Sequence, residues 1–279
     1  MTKPRTAAGY HPSQARSVRA TCLYVATKLG DLADDVVVVG GLVPSLIVDQ
    51  RQATAKHSGT LDLDVGLALR LLDERRYQEI AERLRGAGFQ EDTNERGNPT
   101  HQRWRMAAPP SVTVDFLIAP GETGRRGGSV WNLEPDFAAI VAPGLALAFR
   151  DRVSIKLSGK TIVGERATRT VWVCGPGAFV VLKALAFRMR GENKDAYDLV
   201  YILREFGGGL EDLLEHLVPL LDDRDAQAAL AHLDEDFAKV DSVGPRRYAE
   251  FVSSGPDPIL QADALGLVRE LLRLCRRGR

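Results

Sequence analysis

The sequence predicts an α+β protein, with an α/β domain over residues 1–174 and a helical domain over residues 175–279. Three observations predict it. Val36–Val39 is a continuous β-branched run halted by Gly40-Gly41, the pattern of a short strand buried on both faces. Two later apolar runs, LDLDVGLAL and SVTVDFLIA, carry carboxylates at alternating positions. After Pro176 the apolar period changes from that of a strand to that of a helix and stays so almost to the end.

Taken in order, residues 1–11 form a loose arm holding proline and glycine. Ser13 is placed to cap a helix running to Leu29, with Val18, Cys22, Val25 and Leu29 on one face. The Val36–Val39 strand follows, then a helix over Leu42–Val48 and a polar loop with Arg51, Lys56 and His57. A strand spans Leu61–Leu69, and an amphipathic helix spans Asp73–Arg85. HQRWRM and SVTVDFLIA read as neighbouring antiparallel strands, with His101, Arg103 and Arg105 on one face and Trp104, a core residue, opposite. GETGRRGGS is a loop, and RVSIKLSGK and TRTVWVC are further strands. PGAFVVLKALAFRMR and KDAYDLVYILREF are helices separated at Gly191, and the remaining helical region breaks at 207–209 and 254–258.

The chain of 279 residues carries 37 Lys and Arg against 37 Asp and Glu, so no global field marks a nucleic-acid binder. Charge is nonetheless uneven, basic at both ends and acidic over 211–241. The 3 cysteines are dispersed and odd in number, with no zinc-type spacing, so neither a zinc site nor a disulfide framework is expected. No stretch has the length and apolarity of a membrane span and no leader pattern opens the chain, so a cytoplasmic location is expected.

A strand's period of two puts Asp62 and Asp64 on one face, and in the second strand it sets Asp115 opposite Val114, Phe116 and Ile118. Carboxylates inside apolar strands repel one another and lose hydration unless a cation compensates. Hard oxygen ligands select Mg²⁺ or Mn²⁺, ions usually shared with substrate phosphates. Gly40-Gly41 lets the backbone approach a ligand closely, and the following helix would offer N–H groups to an anion. Lys183, the cation in an otherwise apolar helix, either snorkels to the surface or is held toward an anion. Asp195 and Asp198 share a face of the next helix; Asp195 suits a first-turn cap, and Asp198 is better placed to orient Lys183 or a substrate hydroxyl. Arg103, Arg188 and Lys194 could reach phosphate, and His57 is a candidate base.

These motifs together resemble the polymerase-β-like nucleotidyltransferase superfamily: a Gly-Gly helix start, Asp-x-Asp, and a third carboxylate on a later strand. More narrowly, Lys183 in VVLKALAFR and the segment Lys194-Asp195-Ala196-Tyr197-Asp198-Leu199 look like those of the AbiEii/MenT nucleotidyltransferase toxins. The resemblance covers about residues 36–204. It implies a mixed sheet with flanking helices, completed by the helical domain, and Mg²⁺ (or Mn²⁺) held by Asp62, Asp64 and Asp115. It further implies an NTP bound through Gly40, Gly41, Ser45, Arg103, Lys183, Lys194 and Asp195, with Lys183 and Asp198 joining the carboxylates in catalysis. An acceptor hydroxyl, the tRNA 3′ end in some members, and a winged-helix antitoxin encoded alongside are expected partners. The sequence departs from the pattern in two places: the spacer from Gly41 to Asp62 is unusually long, and Leu42 stands where relatives often carry Ser, leaving Ser45 as the nearest hydroxyl. Two other readings stay open, a small-molecule nucleotidyltransferase of the aminoglycoside-modifying kind and a non-catalytic nucleotide-binding protein.

Overall fold

The computed structural model describes residues 3–68, 74–106, 111–121 and 125–277. Leu69 and Asp73, expected at the ends of a strand and a helix, lie outside the described residues, as do residues 107–110 and 122–124. The chain forms two compact units, one of Pro12–Val43 and Gly59–Cys174, the other of Met1–His11, Pro44–Ser58 and Gly175–Arg279. The architecture is α+β.

The first unit holds a mixed sheet. Its strands are β1 (Val36–Val39), β2 (Asp62–Leu67), β3 (Phe89–Thr93), β4 (Pro99–Met106), β5 (Thr113–Ile118), β6 (Val130–Glu134), β7 (Phe137–Val141), β8 (Arg152–Lys160) and β9 (Arg166–Cys174). They run in the order β3-β4-β5-β2-β1-β9-β8, with β7 pairing both β5 and β6. The central strands β1, β2 and β5 are lined by Val38, Leu63, Val65, Val114 and Phe116, all buried, which is why their sequences read as apolar runs. Helix α1 (Pro12–Leu29) buries Val18, Cys22, Val25 and Leu29. It begins at Pro12, so Ser13 is not its cap; proline at a first helical position loses no hydrogen bond, because that N–H has no partner in the helix anyway. Helix α3 (Glu74–Gly86) follows β2, and α4 (Leu145–Arg150) lies between β7 and β8. Trp104 is a core residue, meeting Phe137 edge to face at 5.9 Å.

The expected helix at 42–48 is shorter: a 3-10 turn over Gly40–Leu42 leads into α2 (Val43–Ile47), only 5 residues long. So short a helix has little dipole with which to attract an anion. The polar residues of strand β3 are drawn into the sheet by pairing with β4.

The second unit is helical: α5 (Pro176–Arg190), α6 (Asn193–Glu205), α7 (Leu210–Leu217), α8 (Arg224–Asp236), α9 (Val243–Ser253) and α10 (Pro258–Arg277). Helix α5 starts on Pro176 and ends at Gly191, whose φ of 63° is left-handed and whose N–H caps the Phe187 carbonyl. Within this unit the segment 44–58 joins the helices through Thr54 N–H, which donates to the Glu205 carboxylate at 2.7 Å, and Tyr201, which donates to the Ala55 carbonyl at 3.0 Å.

Candidate active site

The sheet brings the three aspartates together. Strands β2 and β5 run parallel with Asp64 beside Asp115, and β1 runs antiparallel to β2 with Val39 beside Asp64. Register partners project to the same face, so Asp62, Asp64 and Asp115 share it while Leu63, Val65 and Val114 point into the core. One oxygen from each carboxylate lies within 4.8 Å of the others. Asp62 and Asp115 are only 5% and 4% exposed.

Two neighbours position these groups. Arg103 grips Asp115 with both prongs, Nε to Oδ1 and Nη2 to Oδ2, each at 2.6 Å. That bond holds the Arg103 guanidinium still more firmly protonated than usual, against its partial burial. The Thr60 hydroxyl donates to Asp62 Oδ1 at 3.0 Å. Gly40, with φ of 70°, lies against Asp64 so closely that any Cβ there would strike the Asp64 carboxylate. Glycine is thus required at position 40 twice over, by the backbone angle and by the carboxylate. Gly41 is buried in the turn that follows, and Ser45 is half-buried on α2, in the other unit.

Three carboxylates with one guanidinium leave about two negative charges at a partly open face. Opposite ligands of an octahedral Mg²⁺ stand about 4 Å apart, so the oxygen separation suits one ion or a bridged pair. A carboxylate offers about four lone-pair sites, so Asp115 can keep Arg103 and still ligate. The residues therefore fit a hard divalent cation; Asp62, Asp64 and Asp115 would hold it, and it would neutralise phosphate charge there.

A second polar cluster lies inside the helical unit. Lys183, 6% exposed, does not snorkel: its Nζ is 2.9 Å from Asp195 and 2.7 Å from Asp198. Arg190 holds Asp195 from the other side at 2.6 and 2.8 Å, so Asp195 is a buried ion-pair partner rather than a solvated cap. Lys194 pairs with Asp198 one helical turn on, and its ammonium stands 5.5 Å from the Tyr10 ring, 5.3 Å from Tyr197 and 5.9 Å from Phe251. His57 Nε2 is 2.8 Å from Asp198, and its ring stacks on Tyr197 at 5.4 Å. Burial pushes His57 down to about 4, helped by Lys194 and opposed by Asp198, so the ring is neutral and Nε2–H donates to the carboxylate. Burial would raise Asp195, but Lys183 and Arg190 outweigh it and bring the carboxyl to about 2. Asp198 is likewise held well below the usual range against its burial, by Lys183, Lys194 and His57. For Lys183 burial works against the charge, yet Asp198 and Asp195 overcome it and raise the ammonium. For Lys194 burial prevails and lowers it.

Sequence reasoning missed Thr60, Arg190 and the depth of His57. Thr60 shares strand parity with Asp62 and was in principle legible; Arg190 reaches Asp195 across the Gly191 turn, and nothing local announces that. Arg188, a candidate phosphate ligand, instead pairs with Asp236 at 2.6 Å and with Glu235.

No family model matches this chain, and no curated protein matches it. Among solved structures it is similar to an antigenic nucleotidyltransferase-like protein from Paracoccidioides brasiliensis, at 16% identity over 81% of this chain and 92% of that chain, with a TM-score of 0.43. No described helix is long and apolar enough to cross a membrane.

Proposed function

We propose that this protein is a Mg²⁺-dependent nucleotidyltransferase that moves an NMP from an NTP onto a hydroxyl of RNA. The observation that carries the reading is the convergence of Asp62, Asp64 and Asp115 beside the Gly40 backbone. A bound divalent ion would supply charge neutralisation on the triphosphate and on the leaving pyrophosphate. The chain's own residues do the rest. Asp62, Asp64 and Asp115 fix where charge is received, Thr60 and Arg103 lock two of those carboxylates in place, and Gly40-Gly41 keeps side chains out of the way of phosphate. In this reading Lys183, aimed by Asp195 and Asp198, is the fixed cation for the triphosphate, and Lys194 holds Asp198. Arg103 and Ser45 would be auxiliary phosphate contacts.

The resemblance of Lys183 and the 194–199 segment to the AbiEii/MenT toxins supports a narrower form. In it the acceptor is a tRNA 3′ end, the activity arrests growth, and a winged-helix antitoxin restrains it. The test incubates the protein with each radiolabelled NTP, Mg²⁺ and total RNA, beside Asp64→Ala and a set of small aminoglycosides. Label in the tRNA band, dependent on Asp64, is expected. Label only in small molecules would favour the aminoglycoside-type reading, and saturable NTP binding without transfer would reduce the protein to a nucleotide-binding one.

A further inference from the structure

The hairpin of β8 and β9 concentrates positive charge. Between Arg152 and Cys174 stand Arg152, Lys156, Lys160, Arg166 and Arg169 against a lone acid, Glu165, in a chain whose net charge is zero. Many half-exposed arginines elsewhere find carboxylates, among them Arg76 with Asp35, Arg83 with Asp31, Arg85 with Asp136 and Arg273 with Glu270. Lys156, Lys160 and Arg166 are exposed and have no acidic partner among the described residues.

Register places them on a particular side. Val173 pairs with Val38, which pairs with Val65, so Val173, Val171 and Leu157 belong to the core face. The alternate positions, Ser154, Lys156, Ser158 and Lys160 on β8 with Arg166, Thr168 and Thr170 on β9, are all exposed and take the parity of Val39, hence of Asp64 and Asp115. Beyond Trp172, the outer part of this face is made of cations and hydroxyls, with Ser158 and Thr168 in mutual contact at 3.0 Å. Lys160 stands directly across from Arg166. Like charges opposed on an antiparallel ladder cost stability, so an anion that resolves the clash explains the pair better than folding does. Charge on an edge strand also discourages aggregation, but Lys156 and Lys160 on β8 already meet that need, and Arg166 on β9 adds nothing to it.

We propose that this face of the β8–β9 ribbon docks the sugar-phosphate backbone of an RNA whose end is presented to the aspartates. Unpartnered cations interleaved with hydroxyls are the groups that grip phosphate and ribose without reading sequence. The C-terminal end of β9 lies two strand spacings from β2, roughly 10 Å from the carboxylates, and the ribbon runs a further ~25 Å from there. A small acceptor cannot span that distance, whereas an RNA stem can. The inference rests on the nucleotidyltransferase reading for the identity of its RNA.

The experiment uses the full chain, fluorescein-labelled unfractionated tRNA and fluorescence anisotropy, between about 50 and 200 mM salt, the range over which backbone contacts lose most affinity. The triple variant Lys156→Ala, Lys160→Ala, Arg166→Ala should bind about tenfold or more weaker at the low-salt end, with a slope of log affinity on log salt shallower by roughly 2–3. The double variant Arg224→Ala, Arg246→Ala removes exposed cations elsewhere, and its affinity should match wild type. The triple should melt at or above the wild-type temperature; if it melts early, the single glutamine variants carry the same test with slope changes of about 1. Wild-type affinity in the ribbon variants, equal losses in the Arg224/Arg246 control, or no tRNA binding by wild type overturns the ribbon assignment. Measuring label transfer in the same samples separates the two readings. Transfer to RNA with ribbon-independent affinity removes the ribbon and leaves the activity. Ribbon-dependent affinity with no transfer from any NTP leaves the ribbon and removes the activity.

Discussion

At the scale of single residues, the aspartate cluster stores repulsion in the absence of a cation, and this fixes the sign of several outcomes. Asp64→Ala should abolish transfer while leaving the metal-free melting temperature unchanged or raised, because it removes one of three converging carboxylates. A lower melting temperature with activity intact would make Asp64 structural. Arg103→Ala has the opposite sign: it strips the buried Asp115 of its bidentate partner. Breaking a fully buried pair costs about 3–5 kcal/mol; Arg103 is 37% exposed, which screens the pair and lowers the expectation to about 1–2 kcal/mol. Millimolar Mg²⁺ should restore part of the loss, and a melt without EDTA sensitivity would show that Asp115 does not ligate. His57 carries the pH dependence. Its folded value, about 4 against an ordinary 6.5, lies below the unfolded one, so the unfolded chain binds the proton more readily between those limits. The stability from keeping His57 neutral is complete above about pH 6.5 and is lost progressively as pH falls to about 4, up to about 3 kcal/mol in all. Denaturant titrations of His57→Gln across that window should be flatter than wild type; parallel curves would place the acid sensitivity elsewhere.

At the scale of elements, α5 and α6 are joined by charge as well as by apolar packing. Lys183 on the one pairs with Asp195 and Asp198 on the other, and the Gly191 turn lets them meet. Lys183→Ala would leave two buried carboxylates sharing Arg190, Lys194 and His57, so it should cost about 3 kcal/mol of stability, which a snorkelling lysine would not. Asp198→Ala should cost a similar amount. The double variant should fall well short of the sum, since each single already breaks the shared pair. Additive losses in urea melts would mean that the two residues act independently, and the transfer assay on the folded fraction then asks separately whether the pair also acts on the triphosphate.

At the scale of the whole molecule, metal binding should appear as stability. A cation that binds only the folded chain adds about 2.7 kcal/mol at a hundred times its dissociation constant, so Mg²⁺ should raise the melting temperature of wild type and not of Asp64→Ala. A rise of equal size in both would place the ion elsewhere. The two units also explain why the long spacer after Gly41 is more than an inserted loop. Residues 44–58 belong to the helical unit, where they deliver His57 to Asp198, while Gly40 and Asp62 on either side belong to the sheet.

What the sequence determined by itself is whatever depends on local backbone geometry. The period of a strand sets Asp62 with Asp64 and buries Trp104, and the helical period after Pro176 makes α5 and α6, with Gly191 ending the first. Only the tertiary structure decided which distant elements are neighbours. That Asp64 lies beside Asp115 depends on the parallel register of β2 on β5, and a slip by one residue would have turned Asp115 to the core face. Arg103 reads from sequence only as a candidate phosphate ligand, and the setting of β4 against β5 is what also makes it the partner of Asp115. His57 and Asp198, 141 positions apart, share a hydrogen bond that no local pattern encodes. Periodicity is a property of a few consecutive torsion angles, whereas register is settled by the burial of the whole core at once.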